Sequence, residues 1–103
     1  MKLGMGLGYS PAKLEIPMDD ILAAEELGFE SVWAAESYGS DAVSVAAYVL
    51  ASTSTIKVGT AIMQMQARTP TMTAMTAMSL NALSNNRFLL GIGPSGPQVV
   101  EGW

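Results

Sequence analysis

The sequence contains no cysteine and no histidine, and charged residues make up only 14% of its 103 residues. Without cysteine the chain has no disulfide and no thiolate nucleophile, which is typical of a cytoplasmic protein. Without histidine it lacks the commonest general base and metal ligand, so it cannot form a Ser-His-Asp triad alone, and we expect no metal site. The charged fraction is well below the ~25% usual in soluble domains.

Long apolar runs are also missing. None approaches the ~20 residues that a membrane helix needs, and the amino terminus lacks the features of a signal peptide. The net charge of −4 argues against nucleic acid or an anionic membrane as a partner. Half of the residues are hydrophobic, yet a chain this short buries only about two-thirds of its surface. We therefore expect it either to form a homo-oligomer or to be part of a longer fold.

Strand and helix patterns alternate along the whole chain. The predicted strands are Lys2–Gly8, Ser31–Ala35, Ile56–Met63 and Phe88–Ile92. Helix starts are indicated at Pro17, at Asp41 or Ser40, at Thr69-Pro70 and at Pro97, and Gly28 is expected to end the first helix. A loop is expected from Tyr9 to Glu15. This alternation predicts an α/β fold with a parallel sheet of βαβ units, in one segment covering residues 1–103.

Two patterns concern packing. Gly4, Gly6 and Gly8 fall on one face of the first strand, which suits either tight packing or the close approach of a ligand. In the third helix a methionine stripe shares one side, and we expect it to be adaptable core rather than a binding surface. Its members are Met72, Met75, Ser79 and Leu83, with Met78 and Ala82 beside them.

Polar residues follow the carboxyl ends of the predicted strands, where ligands bind in parallel α/β folds. Glu36 and Ser37 follow the second strand, Arg68 follows the third, and Ser95 follows the fourth. Arg68 suits an anionic cofactor or substrate. A local salt bridge between Arg68 and Glu36 is an equally good interpretation, and the sequence leaves both open.

The fourth strand runs into Gly91-Ile92-Gly93-Pro94-Ser95-Gly96-Pro97, a turn before a helix N-terminus, where free N–H groups favour an anion. Its Gly-x-Gly-x-x-Gly spacing matches a dinucleotide fingerprint only as a pattern, because it does not follow the first strand. The turn also resembles a hydrolase elbow. That leaves open a small serine hydrolase or esterase using Ser95 or Ser37 with Glu36.

Several motifs occur in the order found in the luciferase-like monooxygenase superfamily. They are Leu27-Gly28-Phe29-Glu30-Ser31-Val32-Trp33, then Glu36, then Lys57-Val58-Gly59-Thr60-Ala61-Ile62, then Arg68-Thr69-Pro70, then Asn86-Arg87-Phe88-Leu89-Leu90-Gly91-Ile92-Gly93. The chain most resembles the branch that depends on the 8-hydroxy-5-deazaflavin coenzyme F-420. Because members of that family are TIM barrels, about three times this length, the resemblance implies the N-terminal half of a (β/α)8 barrel with four strands and three full helices.

The resemblance also implies an oxidoreductase that moves hydride between F-420 or FMN and a small-molecule substrate. In the family a bulge after the third strand, often with a non-prolyl cis peptide, backs the cofactor ring, and the second strand's exit often carries an acid–base residue. The matching catalytic positions are Glu36 and Ser37, and the matching cofactor-binding positions are Thr60, Ala61, Ile62, Arg68, Pro94, Ser95 and Gly96. Much of the family's phosphate-binding apparatus lies in its second half, so a non-catalytic, self-associating fragment is the remaining alternative.

Overall fold

The computed structural model describes residues 1–8 and 12–101. In chain order its elements are β1 (Gly4–Gly8), α1 (Met18–Glu26), β2 (Ser31–Ala34), α2 (Ala42–Ser52), β3 (Lys57–Thr60), β4 (Met63–Gln64), a 3-10 turn (Met65–Ala67), α3 (Pro70–Leu83), β5 (Phe88–Leu89), β6 (Ile92–Gly93) and α4 (Pro97–Val100). Four strands form a parallel sheet in the order β1-β2-β3-β5, and β4 pairs with β6 in a second, two-stranded parallel sheet.

The predicted α/β fold is confirmed. One core cluster joins Ile21 of α1, Val45 of α2 and Leu80 of α3 to the buried sheet residues Val32 and Val58. Successive side chains of a strand point to opposite faces, so the helices cover one face of the sheet. An open parallel sheet with its helices on one side is the arrangement of half a (β/α)8 barrel. Its edges are β1 and β5.

Local signals place the ends of the helices as predicted. The Asp41 carboxylate accepts a hydrogen bond from the Ser44 N–H at 2.8 Å and caps α2. The Thr69 hydroxyl accepts one from the Met72 N–H at 3.1 Å and caps α3. Gly28, with φ of 86°, follows α1 in the left-handed conformation that glycine adopts readily. In the predicted loop from Tyr9 to Glu15, residues 9–11 lie outside the described residues, and residues 12–15 are in neither helix nor strand.

Two predicted strands are each divided in the structure. The strand expected over Ile56–Met63 breaks at Ala61 and Ile62, and the one expected over Phe88–Ile92 breaks at Leu90 and Gly91. The Thr60 hydroxyl joins the two breaks, because it donates to the Gly91 carbonyl at 2.8 Å and accepts from the Gly91 N–H at 3.0 Å. The two segments therefore leave the main sheet together and pair again as β4 and β6.

The prediction that the methionine stripe of α3 is core is wrong. Met78 and Leu83 expose 72% and 85% of their surface, and Met72 and Met75 are exposed as well. The helix packs on the sheet through Leu80, with Ala77 half-buried beside it. Because α3 has no charged residue to mark a solvent side, its apolar residues surround the helix and their spacing could not select the buried face.

The longest described helix, α3, has 14 residues and would reach only about 21 Å, less than the ~30 Å hydrocarbon core of a bilayer. Across residues 1–8 and 12–101, no helix combines the length and apolar character that a membrane crossing requires. Within the same ranges, no three acidic side chains gather as metal ligands would.

Candidate functional site

The carboxyl ends of the parallel strands bring most of the predicted site residues to one side of the sheet. Glu36 follows β2, Ala61 and Ile62 follow β3, and the turn containing Pro94, Ser95 and Gly96 follows β6. The structure resolves them into a buried ionic cluster, a small apolar surface and a closing turn.

The ionic cluster is centred on Glu36, which is buried with 8% of its surface exposed. One carboxylate oxygen accepts from the Ala42 N–H at 2.7 Å, and the other accepts from the Gln64 N–H at 2.8 Å. The Arg68 guanidinium donates to both oxygens, through Nη2 at 2.9 Å and through Nη1. Each oxygen therefore accepts two hydrogen bonds, and the carboxylate ties the first turn of α2 to β4 and to Arg68.

These contacts keep Glu36 ionised. Burial raises the pKa of its carboxyl, but the hydrogen bonds from Arg68 and from the two backbone N–H groups, with the charge of Arg68, outweigh burial and place the pKa below its ordinary value. The same hydrogen bond raises the pKa of Arg68, and Asp41, at 3.9 Å from Nη2, adds to that effect. An acid held in this way suits an anchoring role. The catalytic role predicted for Glu36 stays a prediction, and its contacts favour a positioning role.

Of the two interpretations that the sequence left open for Arg68 and Glu36, the structure contains the salt bridge. Arg68 also borders an apolar pocket of about 320 Å³ between α3 and β6. The pocket is lined by Gln64, Met65, Arg68, Pro70, Thr73, Ala74, Leu90 and Ile92. Because its guanidinium is already engaged twice by Glu36, Arg68 presents little free charge to an anion in this conformation.

A small apolar surface lies beside the ionic cluster. The Ala61-Ile62 peptide bond is cis, the geometry that the family resemblance implied. Ala61 is exposed and Ile62 is half-buried. A Cβ atom added to Gly93 would lie 2.8 Å from the Ile62 Cδ1 atom, so Gly93 allows this close contact. The apolar step, as we call the surface of Ala61, Ile62 and Gly93, has little bulk and no charge.

Thr60 lies directly before the apolar step but is completely buried. Its hydroxyl is bound to the Gly91 backbone. The cofactor-binding role predicted for Thr60 stays a prediction, and the contacts of its side chain favour a structural role.

The closing turn contains Pro94, Ser95 and Gly96. Ser95 has φ of 64°, and Gly96 accepts from the Val99 N–H at 3.1 Å at the start of α4. The Tyr38 hydroxyl donates to the Gln98 carbonyl and links the β2 exit to this turn. Because the hydrogen bonds of Glu36 occupy both of its oxygens, the arrangement gives a serine hydrolase no free base at this position.

Sequence reasoning missed two members of this region. Gln64 is 2% exposed, and its Nε2 donates to the Glu36 carbonyl at 3.0 Å. The Trp33 ring packs directly against Gly59, where an added Cβ atom would lie only 2.5 Å from the ring. The Nε1–H group of Trp33 donates to the Ser31 hydroxyl at 2.8 Å. A glycine inside the apolar third strand was the available signal for the second contact.

Comparisons with known proteins place this geometry in context. The family described as luciferase-like monooxygenase matches residues 4–103. A Mycobacterium tuberculosis protein named as a coenzyme F-420-dependent oxidoreductase is 48% identical over 100% of this chain and 30% of its own length. The coenzyme F-420-dependent tetrahydromethanopterin reductase from Methanopyrus kandleri superposes with a TM-score of 0.83 and 26% identity, over 98% of this chain and 29% of that one. The oxygenating constituent of 3,6-diketocamphane monooxygenase from Pseudomonas putida, in complex with FMN, superposes with a TM-score of 0.79 and 19% sequence identity. That superposition covers 99% of this chain and 32% of the monooxygenase chain. The chain thus spans about 30% of the length of the curated relative.

Proposed function

The chain belongs to the luciferase-like monooxygenase family, and from this premise we propose that it supplies one wall of the cofactor site of an oxidoreductase. The proposed reaction moves hydride between a deazaflavin of the F-420 type and a small substrate. The 48% identity to a protein named as F-420-dependent supports the deazaflavin. FMN is the second candidate, because its ring system has a similar flat, three-ring shape.

The observation that carries the proposal is the position of the apolar step at the carboxyl ends of the strands. Ligands of parallel α/β folds bind at those ends, and pockets for flat cofactors are mostly apolar. Ala61 is exposed and small, and Gly93 has no side chain that would keep a ring away from Ile62. The residues present therefore fit the body of a planar ring.

The cationic side chains of this segment are already paired, so they favour binding of the cofactor ring over binding of an anionic tail. Arg68 is engaged by Glu36, and the ammonium group of Lys13, in the stretch before α1, lies 3.3 Å from a carboxylate oxygen of Glu15. Arg87 lies at the opposite end of β5, where its guanidinium donates to the Leu50 and Ile56 carbonyls at 2.8 and 2.9 Å. We infer that in this segment affinity for the cofactor comes mainly from its ring.

The chain contributes orientation and electrostatics, while the cofactor, when bound, supplies the carbon that carries the hydride. Ala61 and Ile62 hold one face of the ring. Glu36 fixes Arg68 and the start of α2, so that the exit loop of β2 keeps its shape. Ser37, half-buried next to Glu36, is better placed than Glu36 to contact a substrate, because the Glu36 carboxylate is fully engaged. Pro94, Ser95 and Gly96 border the substrate side.

Replacing Ala61 with glutamate tests the proposal. A carboxylate on the apolar step would have to lose its water beneath the ring, so we expect affinity for F-420 to fall at least about tenfold, or about 1.4 kcal/mol. Titration of the purified chain, followed by the fluorescence of the deazaflavin, measures the change, and FMN is titrated in parallel.

The matched control is Ala82→Glu, the same substitution at an exposed position of α3. It is expected to leave affinity unchanged. Circular dichroism checks that both variants keep the fold, which the exposure of both positions favours. A folded Ala61→Glu chain that binds as tightly as the unchanged protein would refute the proposal, and so would failure of the unchanged protein to bind either cofactor.

A further inference from the structure

The indole of Trp33 lies across the middle of the parallel sheet. A Cβ atom added to Gly59 of β3 would lie 2.5 Å from its six-membered ring, and one added to Gly4 of β1 would lie 3.3 Å from its Nε1 atom. The side chain of this β2 residue therefore reaches both neighbouring strands, which lie about 4.8 Å to either side. Glycine at both contact positions lets the indole lie close to the backbone.

A hydrogen bond orients the indole in that position. Its Nε1–H group donates to the hydroxyl of Ser31, which lies two residues earlier in β2 and so on the same side of the sheet. Ser31 is itself buried, with 9% of its surface exposed. The two close contacts and the hydrogen bond all come from β1, β2 and β3, so these three strands hold the indole in place.

The indole lies next to the apolar step, on its side toward the amino ends of the strands. Trp33 pairs in register with Gly59, and Ala61 comes two residues later, with its N–H group continuing the hydrogen bonds to β2. Val58 and Thr60 alternate with these residues and are completely buried, so Gly59 and Ala61 face away from the helices. Two residues of a strand span about 6.6 Å, which makes the indole and Ala61 neighbours on one surface.

We propose that Trp33 is the floor of the cofactor site, an inference that rests on the proposed function. A planar ring held against Ala61 and Ile62 would meet the indole at its lower edge, so Trp33 sets how far the ring descends between the strands. Contact between two aromatic rings is favourable beyond the apolar area that it buries. Gly59 is part of this arrangement, because a side chain there would push the indole away from the sheet and into the space of the ring.

The competing interpretation is that Trp33 only packs the sheet. Both interpretations expect the fold to be less stable without the indole, so stability does not distinguish them. The emission of the bound cofactor does. An indole in contact with an excited flavin-type ring donates an electron to it and takes the electron back, which quenches the emission without a net reaction. Such quenching requires close approach, so only an indole that borders the ring would produce it.

Trp33→Phe is the main test, made in a Trp103→Phe background where Trp33 is otherwise the remaining tryptophan. F-420 is added until binding saturates, and FMN is titrated in parallel. At saturation the emission of the bound cofactor is expected to rise several-fold when Trp33 is replaced. Affinity is expected to fall several-fold, because phenylalanine is smaller and covers less of the ring. The control is Tyr48→Phe at an exposed position of α2, which should change neither quantity.

Ser31→Ala is the second variant, because it keeps the indole and removes the hydroxyl that orients it. Its bound cofactor should be brighter than that of the unchanged chain but dimmer than that of Trp33→Phe, with circular dichroism checking the fold of each. Saturated binding with equal emission in all these chains would refute the floor and leave the apolar step as a cofactor wall. Failure of the unchanged chain to bind either cofactor would instead refute the proposed function, and the floor with it.

Discussion

Replacing Glu36 with glutamine is expected to lower the free energy of unfolding by about 3–5 kcal/mol, the range measured when one member of a buried ion pair is removed. The carboxylate accepts from the N–H groups of Ala42 and Gln64 and from Arg68, and only 4% of its side chain is exposed. A glutamine keeps one acceptor oxygen but turns an NH2 group toward donors, which leaves buried N–H groups unpaired. Urea denaturation at neutral pH measures the loss.

The control is Glu26→Gln, the same change at the exposed end of α1, which is expected to alter stability by less than about 0.5 kcal/mol. Combining Glu36→Gln with Arg68→Met should cost less than the sum of the two single changes, because each single change leaves the other group without its partner. Additive losses in this cycle would contradict the importance of the pair.

The loss should also depend on pH. The folded-state pKa of Glu36 is lowered, so its stabilising effect is fully present above the unfolded-state pKa and is lost as the pH falls through the folded-state value. The difference between the unchanged protein and Glu36→Gln should therefore shrink in acid. Glu25 also has a lowered pKa, because burial raises it but hydrogen bonds from three backbone N–H groups outweigh burial. Since Glu25 is present in both the unchanged protein and Glu36→Gln, its contribution to the pH dependence cancels in the difference. A difference that stays constant from neutral to acidic pH would contradict the ionic explanation.

Replacing Gly91 with alanine is the second change with a large expected effect. A Cβ atom there would overlap the Thr60 carbonyl oxygen, which belongs to backbone rather than to a movable side chain. The Thr60 hydroxyl also holds the Gly91 N–H and carbonyl, so relief of the overlap would break both hydrogen bonds. We expect a loss of at least about 3 kcal/mol in the free energy of unfolding, at the upper end for overpacking, measured by urea denaturation.

Gly6→Ala is the matched control, because it makes the same chemical change in β1 where an added Cβ meets no atom within 4 Å. It is expected to change stability by less than about 1 kcal/mol. If both alanine variants lose the same amount, the contact between Thr60 and Gly91 does not hold the two strand breaks together.

Much of the fold could be predicted because its signals are local. Asp41 and Thr69 cap helices through N–H groups three residues ahead, and Gly28 follows the end of α1 with φ of 86°. Such features depend on a few neighbouring residues, so their sequence carries the information. The alternation of strand and helix patterns then predicted the parallel sheet, and the order of the motifs indicated the family.

The buried side of α3 could not be predicted in the same way. Its sequence has no charge and presents apolar residues around the whole helix, so only contact with the sheet selected Leu80 rather than the methionine stripe. The division of the third and fourth strands was equally non-local. It depends on a hydroxyl and a glycine that are 31 residues apart in the chain.

The sequence by itself determined where most elements lie, which ends of the strands carry polar residues, and which family the chain resembles. Only the tertiary structure decided whether Arg68 faces a ligand or Glu36, because the two are 32 residues apart and meet only after β2 and β3 have paired in register. It also decided that Thr60 faces Gly91 while Ala61 is exposed. The reason is physical: caps and turns are short-range interactions between neighbours in the chain, whereas burial and ion pairing depend on what the rest of the fold brings to each side chain.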